Sequence, residues 1–136
     1  MRYFLAKSEP SVYSIDDLAR DGKTVWDGVR NAQALRAIRA MAPGDVVFIY
    51  HSGGISATVG WAKVASPPRP DPKEAALTVV DLVFGGKFDV PVALAEVKQS
   101  GRFADWALVR QSRLSTMEAP AEFAEMVRAA NPKQKF

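Results

Sequence analysis

The stretch Asp45-Val46-Val47-Phe48-Ile49-Tyr50-His51 constrains the fold more than any other part of the chain. A run so rich in β-branched and aromatic residues reads as a central strand. Shorter runs of the same character flank it: Arg2–Lys7, Thr24–Trp26, Ile55–Ala65, Leu77–Phe84 and Lys87–Val90. Gly85-Gly86 reads as the hairpin turn between the last pair. Gly60, inside a strand, marks a bulge or a close backbone approach. Short helices fill the gaps. Ser14 with Asp17 forms a capping-box pattern, and Gly22 stops the helix it opens. Asn31 reads as the N-cap of a helix to about Met41. Leu35, Ile38 and Met41 face the core, with Gln33, Arg36 and Arg39 opposite. A helical piece follows around Ala95–Lys98, then a packed turn with Phe103, Trp106 and Leu108. A closing helix spans Pro120–Ala130, with Phe123 and Val127 facing inward. Strands and helices do not alternate regularly, which disfavours a doubly wound parallel sheet. The expected fold is α+β: a small, strongly bent mixed β-barrel of five to six strands with peripheral short helices, its closure hiding the strand edges.

The chain of 136 residues suits one domain, 1–136. The stretch Ser66–Lys73, with prolines at 67, 68, 70 and 72, reads as an extended loop across that domain. With no cysteine and the single histidine His51, a disulfide scaffold, a thiolate metal site and a histidine cluster are excluded. No metal and no cofactor is expected. No segment is apolar enough to cross a membrane, and the start, interrupted by charge at Arg2 and Lys7, does not read as a signal peptide. The expected compartment is the cytoplasm. A net charge of +3 permits a phosphate-bearing partner without demanding one.

Catalysis has little to stand on. Ser52 is not in a nucleophile elbow, and His51 beside it points to the other face of a strand. There is no phosphate-binding loop. Binding has more. Lys7-Ser8-Glu9-Pro10, Trp26 to Asn31, and Tyr50-His51-Ser52 are polar and aromatic clusters at strand ends, where a barrel opens. Trp26 offers a stacking face or is plain core. Asn31 and Ser8 offer donors and acceptors suited to the edge of a base. Arg30, Arg36 and Arg39 lie beside a helix N-terminus and either hold phosphates or form a solvated face.

Taken together and in order, Lys7–Pro10, Trp26–Gln33, Met41–Asp45, Tyr50–Ser52, Pro70–Pro72 and Leu108–Ser115 resemble the EVE domain family over nearly the whole chain. The resemblance implies a PUA-like fold, related to PUA, ASCH and YTH domains. It also implies a non-catalytic reader of modified nucleobases in DNA or RNA. On this pattern the base pocket draws on Ser8, Trp26, Asn31, Tyr50, His51 and Ser52. Backbone contacts draw on Lys7, Arg30, Gln33, Arg36 and Arg113, with Arg30 and Arg113 serving either phosphate contact or internal ion pairing. The chain departs from the family pattern at Ala32, where an aromatic is usual, and at Leu35, where an arginine is usual. Some bacterial members are fused to nucleases; this chain reads as a standalone member for which a separate nuclease or modification enzyme is a possible partner. The oligomeric state is open. The rival reading is an ASCH-like RNA-processing or hydrolytic enzyme using Lys7, Glu9 and His51.

Overall fold

The computed structural model describes all 136 residues, 1–136. In chain order the elements are β1 (Tyr3–Ser8), α1 (Ile15–Asp21), β2 (Lys23–Trp26), α2 (Ala32–Arg39), β3 (Val46–His51), β4 (Ala57–Val64), β5 (Arg69–Pro70), β6 (Thr78–Ala93), α3 (Leu94–Gln99), α4 (Ala107–Arg110), β7 (Thr116–Ala119) and α5 (Ala121–Ala130). The sheet has the order β2-β6-β4-β3-β1-β7, with β5 added to β6. Only β1 and β3 run parallel; every other pair is antiparallel. The fold is α+β with a mixed sheet, as expected.

The β-branched run occupies the middle of this sheet. Val46 to Tyr50 are all buried, and the Phe48 ring meets Phe123 and Phe136 edge-on at 5.4 and 5.2 Å. Edge-to-face contacts at such distances add to what area burial already contributes. Thirty-two buried residues form one hydrophobic cluster that includes the inner faces of α1, α2 and α5.

Local signals decided the helices. Ser14 and Asp17 form the reciprocal capping box, and Gly22 ends α1 at φ 76°. Asn31 caps α2 through its side-chain oxygen, which accepts from Ala34 N at 3.0 Å. Leu35, Ile38 and Met41 are buried as the spacing predicts. The helix stops at Arg39, two residues short of the expected Met41.

Long-range packing decided the rest. Gly85-Gly86 is not a hairpin turn: it lies within β6, which runs unbroken from Thr78 to Ala93. A Cβ on Gly85 would sit 2.5 Å from carbons of the Trp61 indole, so the glycine makes room for a ring rather than for a reversal. The β4–β6 register shifts at this point, between Trp61 and Ala62. Gly60 is the close approach its position suggested, since a Cβ there would come within 2.6 Å of Gly86 O. The Pro-rich segment is held by Arg69, which pairs with Asp81 at 2.9 Å and lowers that carboxyl below its usual range. The sheet has seven strands rather than five or six, and it does not close: β2 and β7 end the path without pairing to each other.

Candidate functional site

The unclosed seam between the two ends of the sheet holds a hollow of about 510 Å³. One wall is Thr24, Val25 and Trp26 of β2, continued by Asp27 to Arg30. The other is Lys7 and Ser8 at the end of β1, with Glu9, Val12 and Tyr13 after them and Ser115 just before β7. Gly28 turns the loop at φ 75°, a conformation that favours glycine, and buried Val29 anchors it. Trp26 is half-buried, and its ring and that of Tyr13 form a T-shaped pair with centroids 6.4 Å apart. Val12 and Val25 expose apolar surface beside it.

Strand alternation sorts the polar groups around this hollow. Lys7 and Tyr50 are register partners, and the Lys7 ammonium lies 5.5 Å from the Tyr50 ring centroid. Lys7 Nζ also donates to Ser112 O at 3.0 Å, and burial lowers its pKa below the usual lysine range. Ser8 and His51 are the next register pair. Ser8 Oγ donates to Tyr13 O at 2.6 Å, so its oxygen remains free to accept. Tyr13 OH donates to Asp21 at 2.9 Å, and its pKa is raised chiefly by burial. Arg30 reaches Glu74 at 2.8 Å, an exposed ion pair of the internal kind.

The expected site residues divide into groups. Lys7, Ser8, Trp26 and Arg30 line this hollow. Asn31 and Arg113 line a neighbouring hollow with Arg110 to Ser112. Gln33 and Arg36 face a groove shared with Leu114 and Thr116 to Glu118. Tyr50 is buried beneath Lys7. The N–H of Ser52 donates to Ser8 O at 3.0 Å. His51 Nε2 accepts the Ile15 N–H at 3.0 Å, and desolvation lowers the imidazole pKa. It therefore acts as a neutral acceptor at the start of α1, in a different hollow from Lys7 and Glu9. Of the three residues of the hydrolytic reading, Lys7 and Glu9 line one hollow and His51 the adjoining one.

Val12, Tyr13 and Thr24 complete the wall and were not singled out from sequence, whereas Asp27 lay in the Trp26–Asn31 cluster and Ser115 at the end of the Leu108–Ser115 motif. The one available signal was Tyr13, an aromatic soon after the Pro10 break. Ser115 becomes a neighbour only through the long-range pairing of β7 with β1.

The other tryptophans differ from Trp26. Trp61 donates its indole N–H to Gln134 at 2.9 Å, and Trp106 donates to Glu118 O at 2.8 Å. Trp106 lines a separate hollow of about 580 Å³, but its ring packs on Phe123 at 4.7 Å and on Phe103 at 5.8 Å. Trp26 packs partly against the core but has Tyr13 as its one aromatic neighbour, and its indole N–H engages no group of the protein.

Comparison with known proteins supports the resemblance read from the motifs. Human thymocyte nuclear protein 1 is 30% identical over 168 residues, covering 97% of this chain and 75% of its own length. A solution structure from Rhodopseudomonas palustris superimposes with a TM-score of 0.90 at 37% identity, covering 100% of this chain and 97% of that one. The crystal structure of human THYN1 in complex with 5-methylcytosine containing DNA matches with a TM-score of 0.84 at 25% identity, over 100% of both chains. An ASCH protein of Zymomonas mobilis, at 9% identity and a TM-score of 0.61, shares the fold alone. The EVE domain model matches residues 2–130, and the chain belongs to the EVE domain family.

Proposed function

We propose that this chain is a non-catalytic nucleic-acid reader that takes a modified base, a 5-methylated cytosine in DNA before others, into the Trp26 hollow. The observation that carries this reading is a half-buried tryptophan with a single aromatic neighbour, in a wall that also bears both donors and acceptors. Stacking holds any base; edge contacts choose among them. Lys7 brings donors for the ring acceptors of cytosine, while the carboxylates of Glu9 and Asp27 suit its exocyclic amine. Val12 and Val25 offer apolar contact for a methyl group. The human relative solved with 5-methylcytosine containing DNA supports this choice of base and polymer.

The strand backbone then follows the neighbouring hollow and groove. Arg110, Ser112 and Arg113 stand beside the first, Gln33 and Arg36 beside the second, and Leu114 lines both. Asn31 keeps its amide nitrogen available beside this path, because its oxygen caps α2. Arg30 reaches a phosphate by leaving Glu74, an exposed pair worth about 0–1 kcal/mol.

The test is a binding titration at fixed low salt. Oligonucleotides carrying cytosine, 5-methylcytosine, adenine or methylated adenine, single- and double-stranded, DNA and RNA, are compared. Preference for one modified base, lost in Trp26→Ala, is the expected result. Equal, weak binding to every oligonucleotide would leave only a mildly basic surface.

A further inference from the structure

The β3–β4 loop carries an exposed side chain that the base hollow alone does not explain. Ile55 stands at the loop tip, 79% exposed. A single exposed apolar residue is ordinary on a protein surface. Two features set this one apart. The loop is docked onto the rim of the Trp26 hollow. Ser52 N–H donates to Ser8 O at 3.0 Å, and a Cβ on Gly53 would lie 3.6 Å from Glu9 Oε1. Both Ser8 and Glu9 line that hollow. Ile55 also belongs to a shelf. With Pro10, Ala57, Val59 and Pro91 it lines a second hollow of about 280 Å³. The one titratable side chain there, His51, already accepts from Ile15, and the positive φ values of Gly53 and Gly54 set the backbone of the tip.

A polar hollow with a stacking face and an apolar shelf thus share the edge made by Glu9 and Pro10. That pairing of surfaces matches the two products of extruding a nucleotide from a duplex. One is the free base. The other is the unstacked face of the base pair beside the gap, which apolar side chains cover in proteins that kink or open DNA. Isoleucine suits the second task because it brings apolar surface and no group needing a hydrogen-bond partner.

We propose that Ile55 and its shelf cover the base-pair face exposed when the neighbouring nucleotide enters the Trp26 hollow, so that the loop favours reading from duplex DNA. This rests on the base-reading function proposed above.

The experiment compares one DNA sequence carrying 5-methylcytosine as a single strand and as a duplex, against the unaltered protein, Ile55→Ser, Ile55→Met and Trp26→Ala. Ile55→Ser is expected to weaken duplex binding about tenfold, equivalent to roughly 1.4 kcal/mol, and to leave single-strand binding within about twofold. Ile55→Met keeps an apolar tip and is expected to retain duplex affinity. Equal loss on both substrates, or no loss on the duplex, overturns the role of the shelf. If Trp26→Ala weakens single-strand binding while Ile55→Ser spares the duplex, only the shelf falls. If Trp26→Ala changes neither substrate, the base hollow falls and the shelf with it.

Discussion

Two hollows of similar size each have a tryptophan in the wall, and they differ in what the fold has left undone. At Trp106 the ring is packed against both Phe103 and Phe123, which also touch each other, and its N–H is bonded to Glu118 O. At Trp26 the ring meets one other aromatic, Tyr13, and its N–H meets nothing of the protein. Concavity does not separate the two. Saturation does: an aromatic with several aromatic partners and a bonded N–H holds the fold, whereas one with a single aromatic neighbour and an unbonded N–H has interactions to give to a ligand. The charged side chains sharpen the contrast. Lys7 and Arg30 balance Glu9 and Asp27 around Trp26, whereas Arg102 is outnumbered by Asp105, Glu118 and Glu122 around Trp106. A polyanion is therefore repelled from the second more than from the first.

The comparison breaks if the two tryptophans exchange roles on mutation. The largest expected effect is on folding: Trp106→Ala should cost about 3 kcal/mol or more, as truncation of a packed aromatic does. Urea unfolding measures it, and an unchanged midpoint would mean that the Trp106 ring contributes little. Next is Gly85→Ala, which places a methyl group 2.5 Å from the Trp61 ring and should cost about 1–3 kcal/mol through overpacking. The same unfolding assay decides it. Trp26→Ala should show the reverse pattern. Its stability should move by less than about 1 kcal/mol, whereas binding to a methylated oligonucleotide should weaken roughly 5- to 100-fold, the range that base stacking supplies. A large stability loss with unchanged affinity would make Trp26 a second Trp106.

The smallest effect concerns His51. Its folded-state pKa is lowered by desolvation, so the unfolded chain takes up a proton more readily. Its contribution to stability is complete above the unfolded value near 6.5 and declines as pH falls below it. Unfolding midpoints measured from pH 7.5 down to 5 should therefore fall, and His51→Gln should flatten the His51-dependent part of that decline. An identical slope in the variant would show that the imidazole does not titrate against the Ile15 amide. Raising salt should meanwhile weaken nucleic-acid binding through counterion release, without shifting the Trp26-dependent preference among bases.

The parts of the fold legible in the sequence are those decided within a few residues. The Ser14–Asp17 capping box, the Gly22 stop and the Asn31 cap are local hydrogen-bond chemistry, and each stands where its residues put it. Gly85-Gly86 misled because a glycine pair reads locally as a turn, while here a ring from another strand required the missing side chains. The short strand Thr116–Ala119 carries no β-branched run and is recruited by pairing with β1. The site follows the same rule. Trp26, Ser8, Lys7 and Arg30 meet because they end adjacent segments of one wall or the facing one. Asn31, Tyr50, His51 and Ser52 also end strands or open helices, but being near a strand end does not say which face of the sheet a side chain serves. Leu35 makes the same point from the other side: where the family usually has an arginine, this residue is buried in the core.

The open seam has a consequence for motion. Strand β2 has four residues and a single strand neighbour, β6. Trp26 therefore rides on a short stave at the edge of the sheet, where local opening comes at a lower free energy than in the buried centre. A ligand that grips Trp26 on one side and Lys7 or Ser115 on the other spans the gap that no hydrogen-bonded strand pair closes. In an amide-exchange experiment such a ligand would act as the missing stave, slowing exchange along β2 and leaving the already protected β3 unchanged.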